Sequence, residues 1–449
     1  MAKSYDLIIL GAGNAGTAAA SVANEAGKKV LLVESRDLGG TCPLRGCVPK
    51  KVLVAAAENL EQIRLSKEHC VTTGPAKLSW SKLIQRKQTF VEGVPESLEK
   101  EFKKEGVDVV HGKARFVARN QVQIGGEAYT GRKFLISTGS APRELPIPGA
   151  GHALTSEDIL EMKSRPKSIV FIGAGVIGLE FAHVLARAGT KVSLLQRGSI
   201  LLPAAEEELV SALVNETKAI GIKILTEVAV LSIKKEGSDF RVRFKHGGKT
   251  RTLTADAVAN TTGRPPAIDD LDLETAGVKR NKSGIEVNKF LQSVSNPDVF
   301  AAGDCIGRAR QLSPIATYEG KTAAHNATHQ KMLAPNYLGI PNVVFTIPAL
   351  ASVGLTEKEA KGDGRRFRTV FNDMKEWRSA RTNAETAALA KVLIDEKSGR
   401  VLGAHLLGHG AADTIHTFGF AIRFGLTTKD LKEFIYAYPT NTSDVRFLV

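Results

Sequence analysis

A glycine-rich repeat limits the folds open to this chain more than any other feature. One copy, "YDLIILGAGNAGTAAASVANEAGKKVLLVES", begins near residue 5, and the other, "SIVFIGAGVIGLEFAHVLARAGTKVSLLQRG", begins at residue 168. Each copy reads as an apolar strand, a glycine turn, a helix rich in small residues and a second apolar strand. The copies align without a gap, and their glycines are Gly11, Gly13, Gly16 and Gly173, Gly175, Gly178. The repeat therefore predicts two βαβ units within an α/β chain.

Both glycine turns have the pattern that binds the pyrophosphate of a dinucleotide. In G-x-G-x-x-G the glycines permit a tight turn and let the pyrophosphate approach the backbone at a helix N-terminus. A single match is weak, but here each match lies between a predicted strand and a predicted helix. We therefore expect two dinucleotide sites rather than two turns without a ligand.

The end of the second strand distinguishes the two sites. Eighteen positions after the third glycine the first copy has Glu34, which can accept hydrogen bonds from a ribose diol. The second copy has Gln196 there, followed by Arg197. Losing the acid and gaining an arginine suits a 2′-phosphate, so we expect the second site to prefer NADPH over NADH. The alternative for Arg197 is an ordinary exposed loop charge.

Length and composition exclude several classes of protein. A chain of 449 residues is too long for one compact core, and two or three domains are expected. No apolar stretch is long enough to cross a bilayer, and "MAKSYDLIIL" lacks the layout of a secretory signal, so we expect a cytoplasmic protein without a membrane partner. The net charge of +14 is dispersed among acids and matches no nucleic-acid motif, so we expect no nucleic-acid partner.

The cysteines are few, and two of them are close together. The chain has Cys42, Cys47, Cys70 and Cys305, too few for a disulfide scaffold of this size. A close pair in a reducing compartment is typical of a catalytic or metal-binding site. At this point both interpretations of Cys42 and Cys47 stay open.

Seven motifs follow one another along the chain: "GAGNAG", "GGTCPLRGCVPKK", "ISTGSAPRELPIPG", "GAGVIGLE", "TTGRPP", "AAGDCIG" and "FTIPALASVGLTEKEA". With these motifs in this order, the chain resembles the flavoprotein disulfide reductases, the family of glutathione reductase, dihydrolipoamide dehydrogenase and mercuric reductase. The resemblance extends from the first strand to the last helices.

The resemblance implies an α/β fold with two Rossmann-like domains and an α+β C-terminal dimerisation domain that forms a homodimer. The implied domains are an FAD-binding domain in two parts, 1–148 and 262–332, an NAD(P)-binding domain at 149–261 and a dimerisation domain at 333–449. The implied FAD contacts are Gly11, Gly13, Gly16, Glu34, Thr41, Lys51, Thr138, Gly139 and Asp304. The implied contacts to the pyridine nucleotide are Gly173, Gly175, Gly178, Glu180 and Arg197. Gly263 of "TTGRPP" is a further implied cofactor-binding residue.

Redox chemistry fits the cysteine pair better than a metal does. Zinc usually has four protein ligands, and no second cysteine pair lies nearby, so we expect no metal site. In a regular helix, residues five apart are separated by roughly 7.5 Å of rise, whereas a disulfide needs Cα atoms within about 7 Å. The turn must therefore be distorted, and Pro43, Gly46 and Pro49 can supply the bend.

The resemblance also implies an order of electron transfer. Electrons pass from the nicotinamide to the flavin, then to Cys47 and the disulfide, and Cys42 is the outer thiol that attacks the acceptor. Lys51 and Glu180 correspond to the ion pair that the family places beside the flavin. Because exchange needs a thiolate, Arg45 could help lower a thiol pKa, although a solvated surface charge is the alternative.

The C-terminus departs from the family pattern. Dithiol-reducing members usually have "HPT" and a glutamate five residues after the histidine, whereas this chain ends in "FIYAYPTNTSDVRFLV". The histidine position holds Tyr438, which donates a proton at neutral pH far more readily than it accepts one. Ser443 holds the glutamate position, beside Asp444. No histidine base is therefore expected at the outer thiol.

The sequence leaves the identity of the electron acceptor open. Ser21 and Val22 stand where glutathione reductase has glutathione-binding arginines, and no cysteine follows Cys305 as the C-terminal pair of mercuric reductase would. The leading hypothesis is an NADPH-dependent, glutathione reductase-like enzyme with an altered acid/base, acting on a small-molecule disulfide or another thiol-reactive acceptor. One alternative is a mercuric reductase-like or quinone- or oxidant-reducing enzyme of the same scaffold. Another is a nucleotide-bound interaction protein without catalysis.

Overall fold

The computed structural model describes residues 3–307, 310–408 and 410–449. These residues form two compact units. The first unit contains the chain up to Lys50, then Gln85–Arg143 and Gly263–Asn336. The second unit contains Lys51–Ile84, Glu144–Thr262 and Tyr337–Val449.

The helices and strands follow each other in an order typical of α/β chains. The α-helices are α1 (Asn14–Glu25), α2 (Thr41–Arg45), α3 (Cys47–Leu65), α4 (Trp80–Gln88), α5 (Val94–Glu105), α6 (Ser156–Glu161), α7 (Val176–Arg187), α8 (Glu207–Ala219), α9 (Ser313–Thr328), α10 (Glu357–Gly362), α11 (Arg378–Thr382), α12 (Ala411–Phe424) and α13 (Thr428–Glu433). The strands are β1 (Lys3–Leu10), β2 (Val30–Glu34), β3 (Asp108–His111), β4 (Ala114–Ala118), β5 (Gln121–Ile124), β6 (Glu127–Ile136), β7 (Ser168–Ile172), β8 (Lys191–Leu195), β9 (Lys223–Leu225), β10 (Ala229–Glu236), β11 (Asp239–His246), β12 (Lys249–Ala255), β13 (Ala257–Asn260), β14 (Arg280–Asn281), β15 (Gly284–Ile285), β16 (Val299–Ala301), β17 (Asn342–Val344), β18 (Ala349–Gly354), β19 (Phe367–Asp373), β20 (Leu389–Asp395) and β21 (Val401–Gly408).

The first unit is built on a sheet in the order β3-β2-β1-β6-β5-β4, with β16 added to β6. Strands β1, β2, β3 and β16 run parallel to their neighbours, and β4, β5 and β6 form an antiparallel meander. The long strand β6 joins the two parts, because its end pairs with β16 from Phe134 to Ile136 while its start pairs with β5. The buried runs "LIIL" and "VLLVE" in β1 and β2 have the continuous hydrophobicity expected of central parallel strands.

Small residues allow α1 and α9 to pack closely in the first unit. The buried face of α1 consists of Ala15, Gly16, Ala19, Ala20 and Ala23. A Cβ atom on Gly320 of α9 would lie 2.1 Å from the carbonyl oxygen of Ala15, so only glycine fits at this crossing. The helix "rich in small residues" predicted from the repeat therefore has a packing reason in addition to its glycine turn.

The second unit has a parallel sheet in the order β13-β7-β8-β9. A second, antiparallel sheet has the order β10-β11-β12, and a third has the order β17-β18-β21-β20-β19. Helix α12 packs on β18 and β21 of the third sheet through buried residues such as Ile415 and Phe418. The predicted α/β class is confirmed: each glycine turn joins a parallel strand of its sheet to a helix, and the C-terminal region is α+β.

The domain division at 148/149, 261/262 and 332/333 stays a prediction. The two compact units change at 143/144, 262/263 and 336/337, and Lys51–Ile84 also belongs to the second unit. Leu53, Val54 and Ala57 of α3 are buried in one hydrophobic cluster with β7 and β8, which explains that membership. Within the described residues, no helix is both long enough and apolar enough to span a membrane.

Candidate active site

The first glycine turn has the geometry of a pyrophosphate cradle. Gly11 has φ +103°, and a Cβ atom there would lie 2.5 Å from the carbonyl oxygen of Ser137. A Cβ atom on Gly16 would lie 1.8 Å from the carbonyl oxygen of Gly11. Gly13 is the N-cap of α1 and supplies no side chain, so the first N–H groups of α1 face outward without a side-chain cap. This arrangement fits an anion at the helix N-terminus.

Glu34 closes this turn at the end of β2. Its Oε2 accepts the backbone N–H of Ala12 at 2.8 Å, and its Oε1 accepts that of Arg36 at 2.8 Å. The carboxylate is buried. Oε1 also accepts the hydroxyl of Ser35 at 3.4 Å, whereas Oε2 has a further lone pair, so the fixed carboxylate can still accept a hydrogen bond from a ribose diol.

The other predicted FAD contacts of the first unit lie where β6 and β16 end. The hydroxyl Oγ1 of Thr138 is buried and has no hydrogen-bond partner among the described residues. Such an orphaned group is rare in a folded protein and fits a bound ligand that supplies the partner. Asp304 accepts the hydroxyl of Ser140 at 2.7 Å, and burial raises the pKa of its carboxyl. The residues of this unit therefore fit an FAD.

Gly139 and Gly263 lie in two motif loops that pair through their backbones. The N–H of Arg143 donates to the carbonyl of Gly263 at 3.0 Å, and that of Ala267 donates to the carbonyl of Gly139 at 2.9 Å. Arg264 also donates to the carbonyl of Ser140 at 2.8 Å. The motifs "ISTGSAPR" and "TTGRPP" therefore contact each other.

The cysteine segment lies against the glycine turn. Gly40 has φ +68°, and a Cβ atom there would lie 2.7 Å from the Cα of Gly13. The predicted distortion between the cysteines is a helix break at Gly46, after α2 and before α3. A Cβ atom on Gly46 would lie 2.9 Å from the carbonyl oxygen of Thr41, so a side chain would clash in this break. Thr41 and Cys42 thus begin one helix, and Cys47 begins the next.

The two thiols are free and electrostatically unequal. The hydrogen bond with Cys42 lowers the pKa of Cys47 to about 6, and the same bond raises the pKa of Cys42. Burial opposes ionisation at both sulfurs, while Lys50 and the hydroxyl of Ser313 favour it at both. In the dithiol, Cys47 therefore loses its proton first and Cys42 keeps its own.

The cation beside the thiols differs from the one expected. Arg45 forms an ion pair with Asp37, with Nη1 and Oδ2 3.0 Å apart. The cation that lowers the pKa of Cys47 is Lys50. Sequence reasoning missed Lys50, although it lies one helical turn after Cys47 in the same motif. It also missed Ser313, because no local pattern connects the first turn of α9 with a distant cysteine.

The expected ion pair between Lys51 and Glu180 is corrected by the structure. Lys51 forms its ion pair with Glu58, at 2.8 Å, and its Nζ lies 4.8 Å from the ring centroid of Phe345. Glu180 accepts the backbone N–H of Phe345 at 2.8 Å. Both side chains therefore contact Phe345 in the second unit. Glu58 lies seven residues after Lys51 on the same helix, two turns away, so a local partner satisfies the lysine.

The second glycine turn repeats the first. Gly173 has φ +103°, and a Cβ atom there would lie 2.5 Å from the carbonyl oxygen of Thr261. Gly175 is the N-cap of α7, and a Cβ atom on Gly178 would lie 2.3 Å from the carbonyl oxygen of Gly173. Gln196 takes the place of Glu34, because its Oε1 accepts the backbone N–H of Ala174 at 3.1 Å. The next residue, Arg197, is exposed.

Tyr438 belongs to the second unit. Its ring is exposed, and its hydroxyl oxygen accepts a hydrogen bond from Nη1 of Arg378 at 2.7 Å. Ser443 is buried in a short 3₁₀ turn, and Asp444 is partly buried, which raises the pKa of its carboxyl. No group of three or more His, Cys, Asp or Glu side chains in the described ranges could hold a metal ion.

The site residues thus fall into two groups by unit. The first unit holds Gly11, Gly13, Gly16, Glu34, Thr41, Cys42, Cys47, Thr138, Gly139, Gly263 and Asp304. The second unit holds Lys51, Gly173, Gly175, Gly178, Glu180, Arg197 and Tyr438.

Comparison with known proteins identifies the family. The family model of pyridine nucleotide-disulphide oxidoreductases matches residues 5–330, and the model of the dimerisation domain of that family matches residues 340–446. A mercuric reductase of Staphylococcus aureus is 34% identical over 442 residues, which cover 97% of this chain and 80% of that protein. A glutathione reductase of a Nostoc species is 31% identical over 464 residues, with 99% of both proteins covered.

Two further similarities bear on the fold and the chemistry. A dihydrolipoyl dehydrogenase of Geobacillus stearothermophilus is 34% identical, with 97% of this chain and 93% of that protein covered. The Cu(II) complex of the HOCl-induced flavoprotein disulfide reductase RclA from Escherichia coli superimposes with a TM-score of 0.89 at 26% identity, covering 100% of this chain and 99% of that one. The chain belongs to the pyridine nucleotide-disulphide oxidoreductase family and is an FAD-dependent enzyme of that family.

Proposed function

We propose that this enzyme uses NADPH to reduce a small-molecule disulfide or a related thiol-reactive acceptor through Cys42 and Cys47. The observation that carries the proposal is the unequal thiol pair beside the first glycine turn. The hydrogen bond with Cys42 and the nearby Lys50 lower the pKa of Cys47 to about 6, whereas the same hydrogen bond raises the pKa of Cys42. By analogy with the family, Cys47 would be the inner sulfur that accepts electrons, and Cys42 would be the outer sulfur that exchanges with the acceptor.

The bound FAD would supply hydride acceptance and the transfer of two electrons to sulfur. Gly11, Gly13 and Gly16 would hold its pyrophosphate at the N-terminus of α1, and Glu34 would accept the hydroxyls of its ribose. The orphaned hydroxyl of Thr138 supports a contact to the same ligand. Gly139, Asp304, Thr41 and Gly263 are assigned to this site with Thr138.

The preference for NADPH rests on the second turn. Gln196 fixes the turn as Glu34 does, but its neutral amide lacks the charge that makes a carboxylate a strong acceptor for a ribose diol. Arg197 is exposed directly after it and is available to a 2′-phosphate. Gly173, Gly175 and Gly178 would hold the pyrophosphate, and Glu180 follows them on α7.

The reduced cysteine pair would supply both electrons of the exchange step, so no further reductant is needed. The Cys42 thiol would lose its proton to solvent, and its sulfur would then attack one sulfur of the acceptor disulfide, form a mixed disulfide and release one thiolate. The Cys47 thiolate then attacks the Cys42 sulfur, which restores the Cys42–Cys47 disulfide and releases the second thiolate. Tyr438 of a partner subunit would donate a proton to a leaving thiolate, since a phenol donates rather than accepts at neutral pH.

A homodimer is proposed because the C-terminal region exposes large apolar side chains. Phe420, Phe424, Phe434 and Ile435 are 61%, 71%, 63% and 92% exposed, and all lie within the match to the family's dimerisation domain. An exposed apolar surface of this kind marks an interface. Sedimentation analysis should give twice the mass of the chain, and a mass of one chain at micromolar concentration would contradict the dimer. A reducing compartment such as the cytoplasm would keep the thiols exchangeable.

The proposal is tested by an acceptor screen with three proteins: wild type, Cys42→Ser and Cys47→Ser. NADPH oxidation is followed with oxidised glutathione, lipoamide, other small disulfides and quinones, and NADH serves as the alternative donor. Wild type should turn over at least one disulfide, and both variants should lose that activity while dye reduction persists. Turnover of the disulfide by Cys42→Ser would contradict electron transfer through the cysteine pair.

A second candidate acceptor is a metal ion. It is favoured by the similarity to RclA, whose solved complex contains Cu(II), and to mercuric reductases. Two sulfur atoms suit a soft metal ion, although this chain has no cysteine after Cys305. Including Cu(II) and Hg(II) in the same screen decides between them: NADPH oxidation with a metal ion and with no disulfide would select the metal.

A further inference from the structure

A chain of hydrogen bonds leads from Arg264 to the carboxylate of Asp304. Nε of Arg264 donates to the hydroxyl oxygen of Ser140 at 3.3 Å, and that hydroxyl donates to Oδ2 of Asp304 at 2.7 Å. Nη2 of Arg264 also donates to the carbonyl oxygen of Ser140 at 2.8 Å. All three residues belong to the first unit. Because the guanidinium occupies the acceptor side of the Ser140 hydroxyl, the hydroxyl proton is directed to Asp304.

Backbone contacts hold Arg264 and Ser140 opposite each other. The N–H of Ala141 donates to the carbonyl of Pro265 at 3.0 Å, so the residues that follow Ser140 and Arg264 are paired directly. The side-chain amide of Gln311 donates to the carbonyl of Arg264 at 3.0 Å. Main-chain groups therefore hold the two loops together independently of the guanidinium.

Asp304 is the charged group at the end of this chain of hydrogen bonds. Burial raises the pKa of its carboxyl, whereas the hydrogen bond from Ser140 and the charge of Arg264 lower it. Glu319 of α9 is buried and accepts the N–H of the residue before Asp304 at 2.8 Å. The thiol of Cys305 is also buried, which raises its pKa to about 12. Of these groups Arg264 is the cation, so its loss should favour the protonated carboxyl at Asp304.

We propose that Arg264 is a positioning residue for Asp304 in FAD binding and acts through the hydroxyl of Ser140. Ser140 occupies Oδ2 of Asp304, and Oδ1 accepts no hydrogen bond from the residues that the structure describes. A carboxylate held in this way presents one oxygen, in the ionised form, to a hydroxyl group of the cofactor. The inference rests on the proposed assignment of Asp304 to the FAD site.

Five variants separate the members of this chain of hydrogen bonds. Ser140→Ala removes the hydroxyl but keeps the carbonyl that accepts from Arg264. Arg264→Met removes both contacts with Ser140, Arg264→Gln keeps an N–H donor without the charge, and Arg264→Lys keeps the charge without the planar guanidinium. Arg280→Met is the matched control, because this arginine of the same unit forms ion pairs with Asp269 and Glu274.

The test starts from the purified FAD-bound enzyme and measures the dissociation constant of FAD at several pH values. Arg264→Met and Ser140→Ala should each weaken FAD binding about tenfold, the effect of losing one hydrogen bond to a charged group. The double variant should bind FAD about as weakly as Ser140→Ala alone, since both changes break the same chain. Arg264→Lys should lie between wild type and Arg264→Met, and Arg280→Met should match wild type.

The pH dependence separates positioning from a purely structural role. FAD binding should weaken as the pH falls through the pKa of Asp304, and it should begin to weaken at a higher pH in Arg264→Met, because loss of the cation raises that pKa. If Arg264→Met weakens FAD binding without moving the pH profile, or binds FAD as wild type does, the inference is overturned. An effect that adds in full to that of Ser140→Ala also overturns it. If Arg264→Met does not fold, Arg264→Gln takes its place with the same expected results.

Asp304→Asn separates the two levels of the proposal. If it binds FAD as wild type does, the assignment of Asp304 to the FAD site fails and this inference fails with it. If it weakens FAD binding and Arg264→Met does not, the assignment stands and only the inference fails. In the supporting result, Asp304→Asn weakens FAD binding at least as much as Arg264→Met and removes the pH dependence that Arg264→Met only shifts.

Discussion

The two glycine turns have the same backbone and differ in the side chain that closes them. Gly11 and Gly173 both have φ +103°, and in both turns the Cβ of an alanine would lie 2.5 Å from a carbonyl oxygen of the neighbouring strand end. A charged Glu34 binds the N–H of Ala12, whereas a neutral Gln196 binds that of Ala174. The same steric constraint therefore gives both turns the same backbone. The turns differ in the charge of the side chain that binds them, a carboxylate in the first and a neutral amide in the second.

The comparison also shows which glycines the fold needs. In the second turn a Cβ atom on Gly175 would meet no atom within 4 Å, in contrast to Gly173. The fold thus requires glycine at Gly173, whereas at Gly175 the requirement would come from the ligand.

The largest expected effect separates these two glycines. Gly173→Ala should lower the melting temperature and abolish reduction by NADPH, because an alanine at positive φ costs about 1–3 kcal/mol before any clash with Thr261 is relieved. Gly175→Ala should keep the melting temperature of wild type and raise the KM for NADPH about tenfold or more, as its Cβ meets the pyrophosphate. Thermal unfolding and steady-state kinetics check both, and equal melting temperatures for the two variants would contradict the steric account.

The next prediction concerns the charge that distinguishes the turns. Arg197→Gln should lower kcat/KM for NADPH about 10- to 100-fold, because a hydrogen bond to a charged group contributes about 1.5–3 kcal/mol. The value for NADH should change little, and Gln196→Glu should raise it. Glu34→Gln is the control: it should weaken FAD retention and leave the NADPH/NADH ratio of the FAD-loaded enzyme as it was. An unchanged ratio in Arg197→Gln would identify Arg197 as a solvated loop charge.

The smallest predicted effect is at the hydroxyl of Thr138, which lies beside the first glycine turn. Thr138→Val should leave the stability of the FAD-free protein unchanged, since the hydroxyl has no partner among the described residues, and weaken FAD binding about two- to tenfold. Ser137→Ala is the matched change. The Ser137 hydroxyl donates to Gly11 at 2.8 Å, so its loss should destabilise the FAD-free protein by about 1 kcal/mol. Denaturant unfolding and flavin titration measure both, and a stability loss in Thr138→Val would contradict the assignment.

The sequence predicted what depends on local geometry. The two glycine turns, the carboxylate at Glu34 and the distorted turn around Gly46 all follow from spacing and from the size of one residue. The fold class follows from the same repeat, since strand-turn-helix-strand units form parallel sheets.

Contacts between distant segments could not be predicted in this way. Lys51 pairs with Glu58 instead of Glu180, because the choice among nearby carboxylates depends on side-chain placement rather than on motif order. Ser313 reaches the thiols and Arg187 reaches Ile347 only through tertiary packing. Lys50 could be predicted only in part. Its spacing from Cys47 places it one helical turn away, but the pattern does not show that Lys50, rather than Arg45 or Lys51, is the cation near the thiols.

The central claim is that Cys47 is the inner thiolate, and a pH titration of the two-electron-reduced enzyme tests it most directly. Cys47 has a lowered pKa, so its thiolate forms as the pH rises through about 6 and is lost below that value. The long-wavelength absorbance of a thiolate beside oxidised flavin should follow this midpoint in wild type, persist in Cys42→Ser and be absent in Cys47→Ser. The opposite pattern, with the absorbance kept in Cys47→Ser and lost in Cys42→Ser, would contradict the account.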